Sequence, residues 1–336
     1  MAYRATQVAS EPIQYFRQDG DAGPRLRVGD VVLRANQDPK EIFARLIRLA
    51  TNSHWSHSSL LYMLSDPLLG FDNTFLVEAM TTGVRVTSWD KEVTPPERFT
   101  VGIKRVPMDW YVESPGKVAG RDQRQRDDTH GIHYLRHVRG MALDQIDDLY
   151  DHDVVNELSA LYFERIFKRH LGAVPELAKI AASFASHYRK KDDVHSTDAP
   201  VLRFICSGLV QYSFFEAVRR DIMKDMEIPE HRAAALSNLQ NMHRIIFCPD
   251  PDGVIERYVK QVKSGEVAIH TAVPNDVLDL LKTATPADFN NSANLAWRYI
   301  IRKGIVWQID EAEEGYKPQS DDEQSVLALL HAEHRS

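Results

Sequence analysis

Cysteine is scarce in this chain. Only Cys206 and Cys248 occur among 336 residues, and no C-x-x-C is present. Neither a disulfide framework nor a zinc ribbon can be built from such a set, and both thiols are expected to be free in a reducing compartment. An excess of positive charge is also missing: 41 Lys and Arg stand against 48 Asp and Glu, a formal charge of −7. A protein that neutralises nucleic-acid phosphates needs a basic face, so nucleic acid is not an expected partner. No stretch approaches the roughly 20 apolar residues that span a bilayer. The opening residues MAYRATQVASEPIQYFRQDG lack the apolar centre of a secretory signal. The expected location is therefore cytoplasmic, or outside after export without a cleaved signal peptide, with peripheral membrane contact left open. With 43% hydrophobic and 26% charged residues, the composition is that of a folded globular protein, not of a disordered, collagen-like or coiled-coil chain. The length admits about two domains of roughly 150 residues, or one large domain with insertions. Oligomeric state is not legible.

Patterning divides the chain further. Residues 1–25 are polar and read as a flexible leader. Residues 26–35 (LRVGDVVLRA) fit a strand entered through a turn at Gly29 and Asp30. A helix is expected over 39–50, with Asp38 as cap and Pro39 at its first position. Strands are expected over 56–64, 74–80 and 100–106, giving a small sheet. Composition shifts over 108–199, where a stretch rich in Arg and Asp precedes two amphipathic segments, 154–170 and 175–191. This reads as a helical insertion or cap. Residues 201–220 form the strongest helical stretch, with further helices expected over 231–239, 253–263, 275–283 and, with the least regular pattern, 286–303. Residues 310–336 read as an acidic tail.

Three residues carry the chemistry. Cys206 sits near the start of the strongest helix, where unsatisfied N–H groups favour a thiolate. Cys206, Val210, Ser213 and Ala217 follow at i, i+4, i+7 and i+11, a stripe of small residues that lets the helix lie close to a sheet. A nucleophilic thiol needs a base, and His57 heads a strand whose alternation places His57, Ser59, Leu61 and Met63 on one face. Glu78 is the sole charge in the apolar run FLVEAM. If the two strands pair about a loop near Leu69, position 81 falls opposite His57 and Glu78 lies about a diagonal step away. Nucleophile, base and orienting carboxylate would then reproduce the logic of a catalytic triad, with the Cys206 backbone N–H as oxyanion donor. The competing reading is a buried structural cysteine, a satisfied strand-end histidine and an edge carboxylate.

Other residues weigh less. Cys248, in RIIFCPD, reads as structural. His54, Trp55 and Ser207 flank the three residues and are candidates to line a substrate cleft; for Trp55, packing against the first helix is the alternative. His130, His133 and His137 fall at i, i+3 and i+7, a spacing that could hold zinc, but Gly131 and the flanking Arg and Asp favour a solvated face. No metal or other cofactor is expected.

GDVVLR (29–34), SHWSHSSLLY (53–62), LVEAMTTGV (76–84) and ICSGLVQYSF (205–214), in that order, resemble the YiiX-like branch of the NlpC-type cysteine hydrolases, as does TPADFNNSANLAW (285–297). The resemblance covers roughly 26–106 and 200–300, each motif being short and their order making the signal specific. It implies an α+β, circularly permuted papain-like fold: a small antiparallel, barrel-like sheet packed on the nucleophile helix, with residues 26–107 and 200–305 as the catalytic domain. It also implies Cys206 as nucleophile, His57 as base and Glu78 as the third polar residue. Relatives cleave peptide or cell-wall amide bonds, and permuted members resembling lecithin:retinol acyltransferase move fatty acyl chains. The expected activity is thus hydrolysis or transfer through a thioester, on a peptide-type amide or a lipid acyl substrate. Two departures stand out: Gly208 replaces the glutamate usual two residues after the cysteine, and 108–200 matches no motif. Two rivals remain, a catalytically silent papain-like interaction module and a metal-dependent hydrolase using the His130 cluster.

Overall fold

The computed structural model describes residues 2–17, 19–20, 23–36, 44, 47–48, 51, 53–65, 73–80, 83–114, 132–145, 206–269 and 272–330. Ten strands are found among them: β1 (Ala2–Ala9), β2 (Asp19–Gly20), β3 (Gly23–Pro24), β4 (Val31–Asn36), β5 (His57–Met63), β6 (Phe75–Met80), β7 (Gly83–Ser88), β8 (Phe99–Arg105), β9 (Ala296–Arg302) and β10 (Ile305–Ala312). The helices are α1 (Pro12–Arg17), α2 (Trp89–Val93), α3 (Ile132–Leu143), α4 (Cys206–Met226), α5 (Arg232–Gln240), α6 (Val254–Ser264), α7 (Asn275–Lys282), α8 (Pro286–Asn291) and α9 (Asp321–Leu327). Eight strands form one sheet in the order β1-β10-β9-β8-β4-β5-β6-β7, with every neighbouring pair antiparallel. The class is α+β. The sheet is larger than the small barrel expected, and β1 and β7 are its two ends rather than a closing pair.

Strand alternation sorts the core onto both faces. Leu33, Leu60, Val77 and Ala79 belong to one cluster with Leu209, Val210 and Phe214 of α4. Around α4 pack α3, α5 and α7. Every residue of α4 from Ser207 to Arg219 is buried, so the small-residue stripe at Val210, Ser213 and Ala217 marks only part of a helix covered almost all round. The other face carries Val32, Leu61, Leu76, Val101 and Ile103, capped by Phe16 of α1 and by Trp89 and Val93 of α2.

The terminal regions depart from expectation. The leader is not loose: β1 pairs with β10 along its length, Ala2 with Ala312 through Gln7 with Trp307. The acidic tail is likewise part of the fold, because β10 runs to Ala312 and α9 packs on β1, where Glu323 accepts a 3.1 Å hydrogen bond from the Ala5 amide. The leader is polar in sequence because β1 is an edge strand of the described sheet, whose stability comes from its ladder more than from buried side chains. The expected helix over 286–303 splits into α8 and β9. Thr285 and Asp288 close a capping box at the start of α8, while the aromatic and branched residues of AWRYIIR suit a strand. The strand expected from residue 26 begins at Val31. Gly29 before it adopts φ +88°, and Asp30 accepts hydrogen bonds from the Arg27 amide and from Arg105 through both oxygens.

Of the expected insertion, the described parts join the core: Met108, Tyr111, Val138 and Ala142 are buried with α4. The helices expected over 154–170 and 175–191, and most of 39–50, lie outside the described residues. No described helix is long and apolar enough to cross a membrane.

Candidate active site

The sheet register brings a row of ionisable side chains onto one face. Arg34 of β4 pairs directly with His57 of β5, and Glu78 of β6 pairs directly with Arg85 of β7. Between β5 and β6 the register sets Leu60 against Val77 and Leu61 against Leu76. Carried back toward the start of β5, that pairing puts position 80, not 81, opposite His57. The single-residue difference matters because a one-residue slip turns every side chain to the other face. With this register His57 and Glu78 share a face.

His57 Nε2 and Glu78 Oε2 are 2.6 Å apart, with Glu78 fully buried and His57 nearly so. The other carboxylate oxygen, Oε1, accepts 2.8 Å bonds from Arg85. Because His57 is the first residue of β5, its ring lies at the end of the sheet, where the N-terminal end of α4 reaches it. Cys206 opens that helix, is partly exposed, and hydrogen-bonds His57. With Nε2 on Glu78, Nδ1 is the nitrogen left to face the thiol. The Ser58 backbone amide also donates to the sulfur, and the Ser207 hydroxyl lies 3.8 Å away.

These contacts set the charges. Burial disfavours an ionised thiol, but the adjoining imidazolium and the hydrogen bonds from His57, Ser58 and Ser207 bring Cys206 down to about 7. Burial likewise disfavours the imidazolium, yet the thiolate and Glu78 outweigh it and the repulsion of Arg34, raising His57 to about 9. For Glu78, His57, Arg34 and Arg85 overcome burial and hold the carboxyl down to about 2. The favoured state is thiolate, imidazolium and carboxylate in sequence. Such a thiolate is a nucleophile, and such an imidazolium is a proton donor beside it.

The three residues singled out from sequence thus meet in space. The cleft candidates fare differently. Trp55 is fully buried, its indole N–H on Asn290 Oδ1 at 3.0 Å and its ring 5.8 Å from that of Trp297. Gly102 leaves room for that pair: a Cβ there would stand 2.7 Å from both tryptophans. Trp55 is a core residue. Ser207 is also buried, accepting a 3.0 Å bond from Ser58 Oγ, so it ties α4 to β5 instead of facing a cleft. His54 is half-buried. Cys248 is buried and its thiol faces the Leu280 carbonyl at 3.7 Å. Of the histidine cluster, His130 and the His133 side chain lie outside the described residues. His137 Nδ1 is 3.2 Å from Asp221 Oδ1. Among the described residues no group of three or more His, Cys, Asp or Glu could hold a metal ion.

Sequence reasoning missed Arg34, Arg85 and Glu92. Arg34 carried the same signal as Glu78, a lone charge in an apolar strand (VVLRA). Glu92 gave none, since it lies in a five-residue helix.

Gly208 has a physical reason. A Cβ there would lie 2.8 Å from the Lys282 carbonyl oxygen and 3.1 Å from its Cα, so the end of α7 fills the space a glutamate would need. Gly to Ala inside a helix normally stabilises by up to about 1 kcal/mol. Here Gly208→Ala is expected to destabilise by about 1–3 kcal/mol, as overpacking does, in urea denaturation monitored by circular dichroism. A variant more stable than the parent would contradict this packing.

No family model matches the sequence, and neither a curated protein nor a solved structure matches it.

Proposed function

We propose that the protein is a cysteine hydrolase or acyltransferase, with Cys206 as nucleophile, His57 as general base and acid, and Glu78 as the group that orients the imidazole, on a permuted papain-like plan. The observation that carries this reading is one imidazole bonded on one side to a partly exposed thiol at a helix N-terminus and on the other to a fully buried carboxylate at 2.6 Å. Buried structural cysteines have no need of such a series.

The thiolate attacks the acyl carbonyl, a C–S bond forms, and the carbonyl electron pair moves to oxygen. The Cys206 backbone N–H, at the first described position of α4, suits that oxyanion. His57 gives its proton to the departing amine or alcohol as the carbonyl re-forms, leaving a thioester. Water or another nucleophile, deprotonated by His57, then attacks the thioester and returns the thiolate. Peptide-type amides and lipid acyl esters both fit this sequence of steps.

The reactive pair exists above the Cys206 value and below the His57 value, about 7 and about 9. Iodoacetamide alkylation of Cys206, followed by mass spectrometry that separates it from Cys248, is expected to rise through about pH 7, well below the ordinary thiol value of about 8.5. Acyl transfer is expected to follow a bell with limbs near the same two values. Alkylation of Cys206 no faster than that of Cys248, or with an ordinary thiol profile, would overturn the enzyme reading and favour a silent interaction module.

A further inference from the structure

Behind His57 lies a second carboxylate that the chemistry above does not use. Glu92 of α2 is 1% exposed, and its Oε1 holds Arg34 Nη1 at 2.7 Å. Arg34 Nη2 stands 4.0 Å from Glu78 Oε2, the same oxygen that His57 Nε2 occupies at 2.6 Å. Arg85 already holds Oε1 through Nε and Nη2. Oε2 is thus the oxygen for which His57 and Arg34 compete. The Arg34–Glu92 pair is also one-pronged, since Arg34 Nε and Glu92 Oε2 find no hydrogen-bond partner among the described residues. Guanidinium and carboxylate ordinarily prefer two parallel bonds, and here the guanidinium is divided between two carboxylates in a site where charge is poorly screened.

We propose that Glu92 is a positioning residue: by holding Arg34, it keeps that guanidinium off the Glu78 oxygen that orients His57. The inference rests on the reading of Cys206 and His57 as an ion pair. A shift of about 1 Å, the difference between the present 4.0 Å and a charge-assisted hydrogen bond, would move Arg34 onto Oε2. His57 would then share its acceptor with a guanidinium and have a cation closer beside it, both of which disfavour the imidazolium. Among the described residues, the charged groups around the ring are Cys206 from α4, Glu78 from β6 and Arg34 from β4, with Arg85 of β7 and Glu92 of α2 one contact further out. Arg34 is the one among these inner groups that repels the imidazolium, and Glu92 is its partner.

The test is a titration of His57 itself in the full chain labelled with ¹³C and ¹⁵N histidine, its signal assigned by its loss in His57→Gln. In the parent the midpoint is expected well above the ordinary 6.5. Glu92→Gln is expected to lower it by one pH unit or more. Adding Arg34→Gln to that variant removes the competitor and is expected to return the midpoint close to the parent value, a rescue that a merely structural role for Glu92 would not give. Arg34→Gln alone, the safeguard should Glu92→Gln fail to fold, is expected to leave the midpoint at or above that of the parent. A parent midpoint near 6.5 would remove the ion pair on which the inference stands. A raised parent midpoint that Glu92→Gln leaves in place, a double variant that stays low, or a lowered midpoint in Arg34→Gln would overturn the role of Glu92 alone.

Discussion

His57→Ala is expected to slow iodoacetamide alkylation of Cys206 at pH 7 by about five- to tenfold, to close that gap near pH 9, and to reduce acyl transfer by about 10²–10⁴. Removing the imidazolium leaves burial opposed only by the Ser58 and Ser207 hydrogen bonds, and the thiol held near 7 is expected to return to about its ordinary value of 9.0. The thiolate fraction at pH 7 then falls from about one half to about one hundredth. A more basic thiolate is intrinsically more nucleophilic, which recovers nearly tenfold over two pK units at a Brønsted slope of about 0.45. Alkylation therefore loses less than the thiolate fraction does, and at pH 9 the variant matches or exceeds the parent. Acyl transfer has no such compensation, because the leaving group still needs a proton. A variant slowed equally at every pH would indicate altered access to Cys206 rather than a lost partner, and would count against the triad.

How much of this was legible depends on where each signal lies along the chain. Cys206, His57 and Glu78 were each visible locally: a thiol at the head of a strong helix, an imidazole heading a strand, a lone carboxylate in an apolar run. The meeting of His57 and Glu78 was legible because β5 and β6 follow one another in the chain, so their pairing could be counted. Counting still erred by one position, and that one position decides which face Glu78 occupies. Arg34 stood in plain view on the same argument as Glu78, yet its relevance needs the β4–β5 register, set across residues 36–57.

The termini were illegible for a different reason. β1 meets β10 about 300 residues away, and no local pattern announces a partner at that distance. Only Ala5 of β1 is buried, so the strand lacks the alternation that marks a half-buried one. The same holds for Trp55: its neighbour Asn290 comes from the far end of the sequence, and an aromatic beside a candidate base reads equally well as cleft or core. The fold closes around the site through contacts of long sequence separation, and Cys206 reaches His57 in the same way, whereas each member of the site is marked by its own local sequence.

Lys104 makes another of those long-range contacts, and Lys104→Met is expected to lower stability by about 3 kcal/mol or more at pH 9. The side chain is 1% exposed, with Nζ donating to the carbonyl oxygens of Phe289, Asn290 and Ser292 at 2.7, 2.8 and 3.2 Å and lying 5.0 Å from the Trp297 ring centroid. Methionine keeps most of the apolar stem but strands the two carbonyls at the end of α8 that the neutral amine, with its two N–H groups at pH 9, can still satisfy, and buried unsatisfied groups cost about 1–3 kcal/mol each. Burial draws the Lys104 ammonium down to about 7 from 10.5. The unfolded chain thus binds more protons than the fold between those values, so the contribution of Lys104 to stability grows as pH rises through this window and is lost toward pH 7. Methionine does not titrate. The difference between parent and variant in urea denaturation is therefore expected to be larger at pH 9 than at pH 6, with the titration of Cys206 and His57 cancelling because both proteins share it. Since α8 also carries Asn290, the acceptor for Trp55 two residues before His57, the same variant is expected to loosen the start of β5. A loss equal at pH 6 and pH 9 would mean that Lys104 is held as a permanent cation, and no loss at either pH would mean that it contributes nothing and that α8 docks on the sheet by apolar contact alone.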